Sequence, residues 1–213
     1  MSSQRVVIFG GGELSDDFVD VLKEGDFVIG ADRGALFLVE HGISPHTAVG
    51  DFDSVSAEDL ERIRQNSGSL IACDAFDKDL TDSELALELA LERQPAEILL
   101  VGVTGSRLDH SLASIQMMTR ATDRQVACSL LNRNNLVTIL NSHAEIQDQG
   151  YTYVSLLPLT PAVTGITLRG FLYPLENATL RLGQSLGVSN KLTGASGTVS
   201  ITSGLLLVIQ SRD

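Results

Sequence analysis

The chain has 213 residues, of which 43% are hydrophobic and 20% are charged, and its formal net charge is −12. This composition is typical of a folded globular protein and excludes a disordered or collagen-like chain. No apolar run reaches the roughly 20 residues that a membrane-spanning helix needs. The acidic balance disfavours a nucleic-acid partner, because phosphate binding relies on lysine and arginine.

Neither a secretory signal nor a cysteine framework is evident. The first five residues pass directly into an apolar run, without the charged, apolar and small-residue regions of a signal peptide, so we expect a cytoplasmic protein. The two cysteines, Cys73 and Cys128, lack CxxC or Cys/His spacing. Neither a disulfide framework nor a zinc site is therefore indicated.

From residue 5 to about residue 130, short β-branched runs alternate with segments of helical period. The runs are apolar on both faces, as the strands of a covered parallel sheet are. Strands are predicted at 6–9, 27–29, 70–72, 98–101 and 126–131, and helices near 16–24, 33–41, 56–66, 81–93 and 109–121. This order predicts an α/β domain with a parallel sheet over residues 1–141, with ligand chemistry at the carboxyl ends of its strands.

After residue 141 the helical period disappears. Threonine, serine and glycine now punctuate short alternating runs, such as those at 178–182 and 198–202. Several strands at close spacing predict a C-terminal all-β sandwich domain over residues 142–213.

Two carboxylates two residues apart, Asp51 and Asp53, follow a short extended run that ends at Gly50. The junction between a strand and a loop is a favoured position for a site in an open α/β sheet. The alternative is that Asp53 or Ser54 caps the following helix by accepting hydrogen bonds from backbone N–H groups. These residues alone leave both interpretations open.

A second acidic cluster at residues 74–84 follows another predicted strand and opens a helix. Thr81 and Glu84 have the spacing of a capping box, which accounts for Glu84 and partly for Asp82. The acidic residues between 74 and 79 are not explained by capping, although a solvated polar loop remains an alternative.

A third element, residues 102–110, follows the strand predicted at 98–101. Gly105 permits close backbone approach, and the guanidinium of Arg107 suits phosphate oxygens. The alternative is an Arg107–Asp109 salt bridge with Asp109 as the helix cap. The helix that follows is predicted to bury Leu108, Leu112 and Ile115.

The three elements are expected to share one cleft, because each follows a different strand at its carboxyl end. Two carboxylates about 4 Å apart repel by about 1 kcal/mol in bulk water and by about 4 kcal/mol at an effective dielectric constant of 20. Such a cluster favours a cation, and oxygen ligands without cysteine or paired histidine select a hard ion such as Mg²⁺. No P-loop, dinucleotide fingerprint or nucleophile elbow is present.

At these residues the chain resembles the thiamine pyrophosphokinase family. The matching segments, in order along the chain, are 31–34, 50–54, 77–84, 105–110 and 187–190. The resemblance implies an N-terminal α/β domain that binds nucleotide and metal and carries out catalysis, and a C-terminal sandwich that binds thiamine. It also implies a homodimer with active sites between the subunits, and Mg²⁺-dependent transfer of the pyrophosphoryl group of ATP to the thiamine hydroxyl with release of AMP.

The resemblance also carries roles to individual residues. It implies that the catalytic residues are Asp51, Asp53, Asp82 and Asp109, of which Asp51, Asp53 and Asp82 would hold Mg²⁺. The nucleotide would contact Asp32, Lys78, Thr81, Asp82, Arg107 and Asp109. The thiamine pocket would be lined by Ser189, Asn190 and Leu192.

One departure from the family keeps two other functions open. After the Ser-Asn pair the family often has a tryptophan on which the thiamine ring stacks, whereas this chain has Lys191 and Leu192 there and no tryptophan at all. The first alternative is a pyrophosphokinase for another hydroxymethyl heterocycle, such as a pterin. The second is a non-catalytic sensor of thiamine diphosphate or nucleotide, which the intact acidic cluster disfavours.

Overall fold

A computed structural model describes residues 4–72 and 80–213 of the chain. The chain divides into two compact units, Met1–Arg133 and Asn134–Asp213. The division precedes the predicted boundary at residue 141, since the strand before that residue pairs along its length with the last strand of the second unit. Among the described residues, no helix is both long enough and apolar enough to cross a membrane.

The first unit contains a parallel sheet with helices between its strands. Its strands are β1 (Arg5–Phe9), β2 (Phe27–Ala31), β3 (Thr47–Gly50), β4 (Leu70–Ala72), β5 (Glu97–Val101) and β6 (Ala127–Leu131). They lie in the order β4-β3-β2-β1-β5-β6, and each neighbouring pair is parallel. The central strand β1 is completely buried from Val6 to Phe9, which explains why the sequence is apolar on both faces there.

The helices of the first unit mostly match their predicted positions. They are α1 (Arg33–Glu40), α2 (Ala57–Asn66), α3 (Asp82–Glu92), α4 (Leu108–Met117) and α5 (Thr119–Asp123). The segment predicted as a helix near 16–24 is instead a 3₁₀ helix over Asp16–Val21. The hydroxyl group of Ser15 bonds to the Asp17 carboxylate and does not cap the backbone, and the helix ends at Leu22 in extended backbone.

Helix α4 buries a different face from the one that the sequence predicts. The prediction that Leu108 and Leu112 are buried is wrong, because their exposed fractions are 70% and 50%. Ser114 and Met117 are the buried residues, and the Ser114 hydroxyl donates a 2.7 Å hydrogen bond to the Val103 carbonyl. This contact orients the helix and leaves its leucines on the surface.

The second unit is the predicted all-β sandwich. Its strands are β7 (Asn135–Leu140), β8 (His143–Gln147), β9 (Tyr153–Pro158), β10 (Ala162–Arg169), β11 (Leu175–Arg181), β12 (Ser196–Ser200) and β13 (Leu206–Ser211). Within this unit β7, β13 and β9 pair antiparallel, and β11, β10, β12 and β8 form a second antiparallel sheet. Leu156 and Val208 from the first set pack with Ile166 and Val199 from the second in one core.

Candidate functional site

A cleft of about 790 Å³ lies in the first unit at the carboxyl ends of the parallel strands. The loops after β1, β2, β3 and β5 line it, together with the first turn of α3. Of the residues predicted from the sequence, those in the lining are Asp32, Asp51, Asp53, Thr81, Asp82 and Arg107. Asp109 is not in the lining, and Lys78 lies outside the described residues. The cleft therefore brings together four of the five aspartates to which the resemblance assigns a role.

Asp32 directly follows β2 and adopts an unusual backbone conformation, with φ 51° and ψ −119°. A non-glycine residue at positive φ costs about 1–3 kcal/mol, and such residues concentrate at functional sites. The backbone is held by a 2.9 Å hydrogen bond from the Asp32 N–H to the Val49 carbonyl, and the Asp32 carbonyl accepts another from Ala35. These bonds join the ends of β2 and β3 and direct the Asp32 side chain towards the cleft.

The Asp32 carboxylate is only partly satisfied. Its Oδ2 atom accepts a 2.6 Å hydrogen bond from the Ser54 hydroxyl, whereas Oδ1 is buried without a hydrogen-bond partner. Burial raises the pKa of Asp32 above its ordinary value, and the negative charges of Asp82 and Asp51 raise it further. The bonds from the Ser54 hydroxyl and from the Arg33 backbone act in the opposite direction. Asp32 thus holds a negative charge next to two others.

Gly50 fits this crowding because it has no side chain. A Cβ atom added there would lie 3.3 Å from Oδ1 of Asp82 and 3.3 Å from the Asp32 backbone nitrogen, and its φ of +148° is one that other residues rarely adopt. Glycine at this position lets the loop after β3, the loop after β2 and the start of α3 approach one another.

The loop after β3 is anchored by Phe52. This residue has φ 56° and is 4% exposed, and its ring packs with Ala35, Ala48 and Ile63. The flanking Asp51 and Asp53 line the cleft, and the Asp53 backbone N–H donates a 3.1 Å bond to Oδ1 of Asp51. A buried aromatic side chain between two acids therefore fixes both of them at the mouth of the cleft.

The alternative in which Asp53 or Ser54 caps the next helix is wrong. Ser56 is the N-cap of α2, and its hydroxyl oxygen accepts a 3.1 Å bond from the Asp59 backbone N–H. The Ser54 hydroxyl instead donates its hydrogen bond to the Asp32 carboxylate. Capping therefore does not account for the first acidic pair.

The start of α3 is held by the predicted capping box. The Thr81 N–H donates a 3.0 Å bond to Oε2 of Glu84, and the Glu84 N–H donates a 3.2 Å bond to the Thr81 hydroxyl. The other carboxylate oxygen of Glu84 forms a 3.0 Å ion pair with Arg120, which also pairs with Glu88 at 2.9 Å. This network fixes the helical turn from which Asp82 reaches the cleft.

Glycines let the loops after β1 and β5 lie directly against each other. The Gly12 N–H donates a 2.6 Å bond to the Gly102 carbonyl, and a Cβ atom at Gly12 would lie only 2.3 Å from the Thr104 carbonyl oxygen. Only glycine fits this approach. The resulting floor of the cleft is backbone, the kind of surface that phosphate groups can approach closely.

Arg107 and Asp109 form an exposed ion pair of 2.6 Å at the start of α4. The guanidinium of Arg107 lowers the pKa of Asp109 to about 2, so its carboxylate stays charged. Asp109 lies in the first turn of the helix, whose N-cap is Arg107, so the expectation of Asp109 as the cap is wrong. The predicted alternative of an Arg107–Asp109 salt bridge is present, and Arg107 also lines the cleft.

The carboxylates of the cleft do not form a ready-made metal cage. Among residues 4–72 and 80–213, no group of three or more His, Cys, Asp or Glu side chains is arranged to hold a metal ion. The unpartnered Oδ1 of Asp32, however, lies among charges that a divalent cation would offset. A hard cation that keeps several waters needs only one or two carboxylates when substrate phosphates supply other ligands. The residues present fit a cation that arrives with a phosphorylated substrate.

Several residues that line the cleft were not assigned a role from the sequence. They are Glu13, Arg33, Ser83, Thr104, Ser106, His110 and Ser114. Arg33, Ser83, Ser106 and His110 lie inside the matching segments 31–34, 77–84 and 105–110. Glu13 and Thr104 lie in loops after strands, and Ser114 lies within α4, outside every matching segment. No local pattern distinguishes them from ordinary loop residues.

The predicted thiamine-binding residues lie in the second unit, where Ser189 and Asn190 have different environments. Ser189 is exposed, has φ 60°, and donates its backbone N–H to the Ser155 hydroxyl at 3.0 Å. Asn190 is 5% exposed, and its side chain bonds to both backbone groups of Tyr173. Leu192 is partly buried against the core of this unit and bridges to Phe171.

Comparison with known proteins places these observations in a family. Residues 18–130 match the family described as "Thiamin pyrophosphokinase, catalytic domain", and residues 143–206 match "Thiamin pyrophosphokinase, vitamin B1 binding domain". Thiamine pyrophosphokinase of Bacillus subtilis (strain 168) is 34% identical over 215 residues that cover all of both chains. The two matched regions fall within the two structural units.

Solved structures agree with the sequence comparison. The crystal structure of thiamine pyrophosphokinase from Bacillus subtilis superposes with a TM-score of 0.90 at 33% identity, covering 99% of each chain. That of thiamin pyrophosphokinase from Geobacillus thermodenitrificans gives a TM-score of 0.88 at 36% identity, covering 98% of each chain. The fold and the sequence thus match the same proteins along their whole length.

Proposed function

This chain belongs to the thiamin pyrophosphokinase family and is an enzyme with that activity, and we propose that ATP is its donor and thiamine its acceptor. The reaction moves the β- and γ-phosphates of ATP together onto the thiamine hydroxyl and releases AMP. We propose Mg²⁺ as the metal and the cytoplasm as the compartment, since ATP is supplied there.

The observation that carries this proposal is the acidic cleft with a backbone floor. Asp32, Asp51 and Asp82 come from three different elements; burial raises the pKa of Asp32, and the negative charges of Asp82 and Asp51 raise it further. A bound Mg²⁺ would offset charge on the phosphate oxygens and align them for displacement. Asp51, Asp53 and Asp82 would hold this ion, directly or through its waters.

The remaining residues of the cleft position the nucleotide. Gly11 and Gly12 let the phosphate chain lie close to backbone, and the Arg107 guanidinium faces phosphate oxygens with planar donors. Thr81 and Asp32 contact the nucleotide from the first turn of α3 and from the end of β2. One of the cleft carboxylates accepts the proton of the thiamine hydroxyl as its oxygen attacks the β-phosphorus.

We assign thiamine binding to the second unit, through Ser189, Asn190 and Leu192. The match of residues 143–206 to a vitamin B1 binding domain supports this assignment. So does the strained backbone of Ser189, which is exposed and available for contact. Asn190 supports the pocket by fixing the backbone of Tyr173, and Leu192 supplies an apolar contact.

We propose that the enzyme is a homodimer in which each active site includes residues of both subunits. Exposed leucines on both units supply surface for such an interface. Leu108 and Leu112 lie on α4, and Leu182 and Leu186, with exposed fractions of 59% and 69%, lie in the second unit. Light scattering on the purified protein should give twice the mass of the chain, and a monomer that retains full activity would contradict this proposal.

The test of the reaction uses purified protein, MgCl₂ and ATP labelled with ³²P at the γ-position. With thiamine, the label should appear in thiamine diphosphate while AMP accumulates. Formation of ADP with a thiamine monophosphate would exclude pyrophosphoryl transfer. A parallel reaction with a hydroxymethyl pterin tests the other acceptor, and pterin diphosphate without thiamine diphosphate would overturn the assignment. AMP release that does not depend on the acceptor or the metal would also contradict the proposed reaction.

A further inference from the structure

The second unit contains an aromatic ring that is exposed yet held on a rigid backbone. Tyr173 is 63% exposed. Its backbone N–H donates a 3.0 Å bond to Oδ1 of Asn190, and its carbonyl accepts a 2.8 Å bond from Nδ2 of the same side chain. Asn190 is itself buried and paired with Val154 through both of its backbone groups. The ring is thus displayed to solvent from a backbone that the core of the unit fixes.

The segment that carries Tyr173 is joined to the predicted thiamine motif. The Leu172 N–H donates a 2.9 Å bond to the Lys191 carbonyl, and the Thr193 N–H donates a 3.0 Å bond to the Gly170 carbonyl. The residues from 170 to 173 and from 190 to 193 therefore form one antiparallel ribbon. Asn190, a residue of this motif, therefore contacts the backbone of Tyr173 directly.

The other two tyrosines of the chain already have a cation over their rings. The Lys191 ammonium lies 4.9 Å from the ring centroid of Tyr153, and the Arg212 guanidinium lies 5.5 Å from that of Tyr151. Within residues 4–72 and 80–213, no cation lies over the ring of Tyr173. Its face is therefore open to a cation from outside the chain.

Charge alone does not attract a cation to this unit. Residues 134–213 contain four acidic and four basic residues, so the formal charge of −12 lies in residues 1–133. Thiamine carries a permanent positive charge on a planar thiazolium ring. A neutral surface can select such a ring by its aromatic faces, since a cation over a tyrosine is favourable by about 0.5–2 kcal/mol.

Building on the function proposed above, we propose that Tyr173 determines specificity for thiamine by receiving the cationic thiazolium ring on its open face. Asn190 is then a positioning residue, which holds Tyr173 in place through its backbone. The proposal assigns an aromatic contact to a chain that has no tryptophan.

The test compares Tyr173→Leu and Tyr173→Phe with the wild-type protein by isothermal titration calorimetry, with Mg²⁺ and a non-hydrolysable ATP analogue present. The two ligands are thiamine and a neutral analogue in which a thiophene ring replaces the thiazolium ring. We expect Tyr173→Leu to raise the Kd of thiamine about 2- to 30-fold and to leave that of the neutral analogue nearly unchanged. Tyr173→Phe should bind both ligands nearly as the wild type does.

Controls separate this inference from the proposed reaction. Tyr151→Leu, the matched change at a ring that Arg212 covers, should leave the Kd of thiamine unchanged, and the KM for ATP should be the same in every variant. Unchanged thiamine binding in Tyr173→Leu would overturn the inference. So would an equal loss for both ligands, or a change in oligomeric mass that accompanies the loss. Wild-type protein that turns over no thiamine would instead contradict the function itself.

Discussion

Replacing Asp32 by Asn should make the protein more stable and less active. The substitution removes one negative charge from a group in which Asp82 and Asp51 repel it. The amide oxygen can still accept the bond from Ser54, and its NH₂ group would take the place of an oxygen that has no partner now. The change therefore removes charge with little loss of hydrogen bonding.

The size of the gain follows from the two repulsions. We assign about 1 kcal/mol or less to each repulsion, up to the value for two unit charges about 4 Å apart in bulk water, so that the two together give up to about 2 kcal/mol. The free energy of unfolding should rise by about 1–2 kcal/mol, which raises the Tm by about 2–8 °C for a chain of this size. The substitution also weakens the proposed contact between Asp32 and the nucleotide. The loss of such a contact to a charged group should lower kcat/KM for ATP about 10- to 100-fold.

The gain should also depend on pH. The pKa of Asp32 is higher in the folded state than its ordinary value of 3.8. Between these two pKa values the folded wild-type protein binds more protons than the unfolded chain does, so it gains stability as the pH falls through the folded pKa. The variant has no such group. The Tm difference should therefore be largest at pH 7 and should shrink as the pH falls towards about 3.8.

Calorimetric melts at several pH values and initial rates of AMP release measure both effects. Asp20→Asn, an exposed aspartate in the 3₁₀ helix, is the matched control and should change neither quantity. A lower Tm in Asp32→Asn would mean that the carboxylate stabilises the fold. Wild-type activity in this variant would mean that it has no role at the site.

Substitutions at four further residues test the same framework. Asp51→Asn or Asp82→Asn should lower turnover about 10²-fold or more, and the Tm should stay the same or rise because one repulsion is lost. A strongly lowered Tm in both variants would mean that these residues are structural. Arg120→Ala should lower the free energy of unfolding by about 1 kcal/mol in urea titrations, since partly exposed ion pairs contribute about 0.2–1 kcal/mol each. The free energy of unfolding of Arg120→Lys should lie between those of Arg120→Ala and the wild type. An unchanged urea midpoint in Arg120→Ala would mean that these ion pairs do not stabilise the fold. Phe52→Ala should cost about 3–5 kcal/mol in the same titrations, because it leaves a cavity between Asp51 and the core, and a loss below about 1 kcal/mol would contradict the anchoring role.

Much of the first unit could be predicted because its signals are local. Burial of β1 on both faces requires an unbroken apolar run, and the Thr81 and Glu84 capping box is a pattern of four neighbouring residues. The acidic residues of the cleft could be grouped for a related reason, since the parallel strands before them end at one edge of the sheet. Local chemistry and topology together were sufficient here.

The rest depends on contacts between residues far apart in sequence. The strained backbone of Asp32 is fixed by a hydrogen bond to Val49, and the Asn190 side chain accepts a hydrogen bond from the Tyr173 backbone. Neither environment can be predicted from the residues next to Asp32 or Asn190 in the sequence. The wrong face assigned to α4 has the same origin, because the bond from Ser114 to Val103 overrides the leucine spacing. Such features need the folded chain.

The most direct test of the account is the position of the metal in a crystal grown with Mn²⁺, a non-hydrolysable ATP analogue and thiamine. The anomalous signal of Mn²⁺ marks the ion independently of the protein density. We predict one peak in the cleft, coordinated by nucleotide phosphates and, directly or through water, by the carboxylates of Asp51 and Asp82. A nucleotide bound with its metal away from both carboxylates, or bound outside the cleft, would contradict the account.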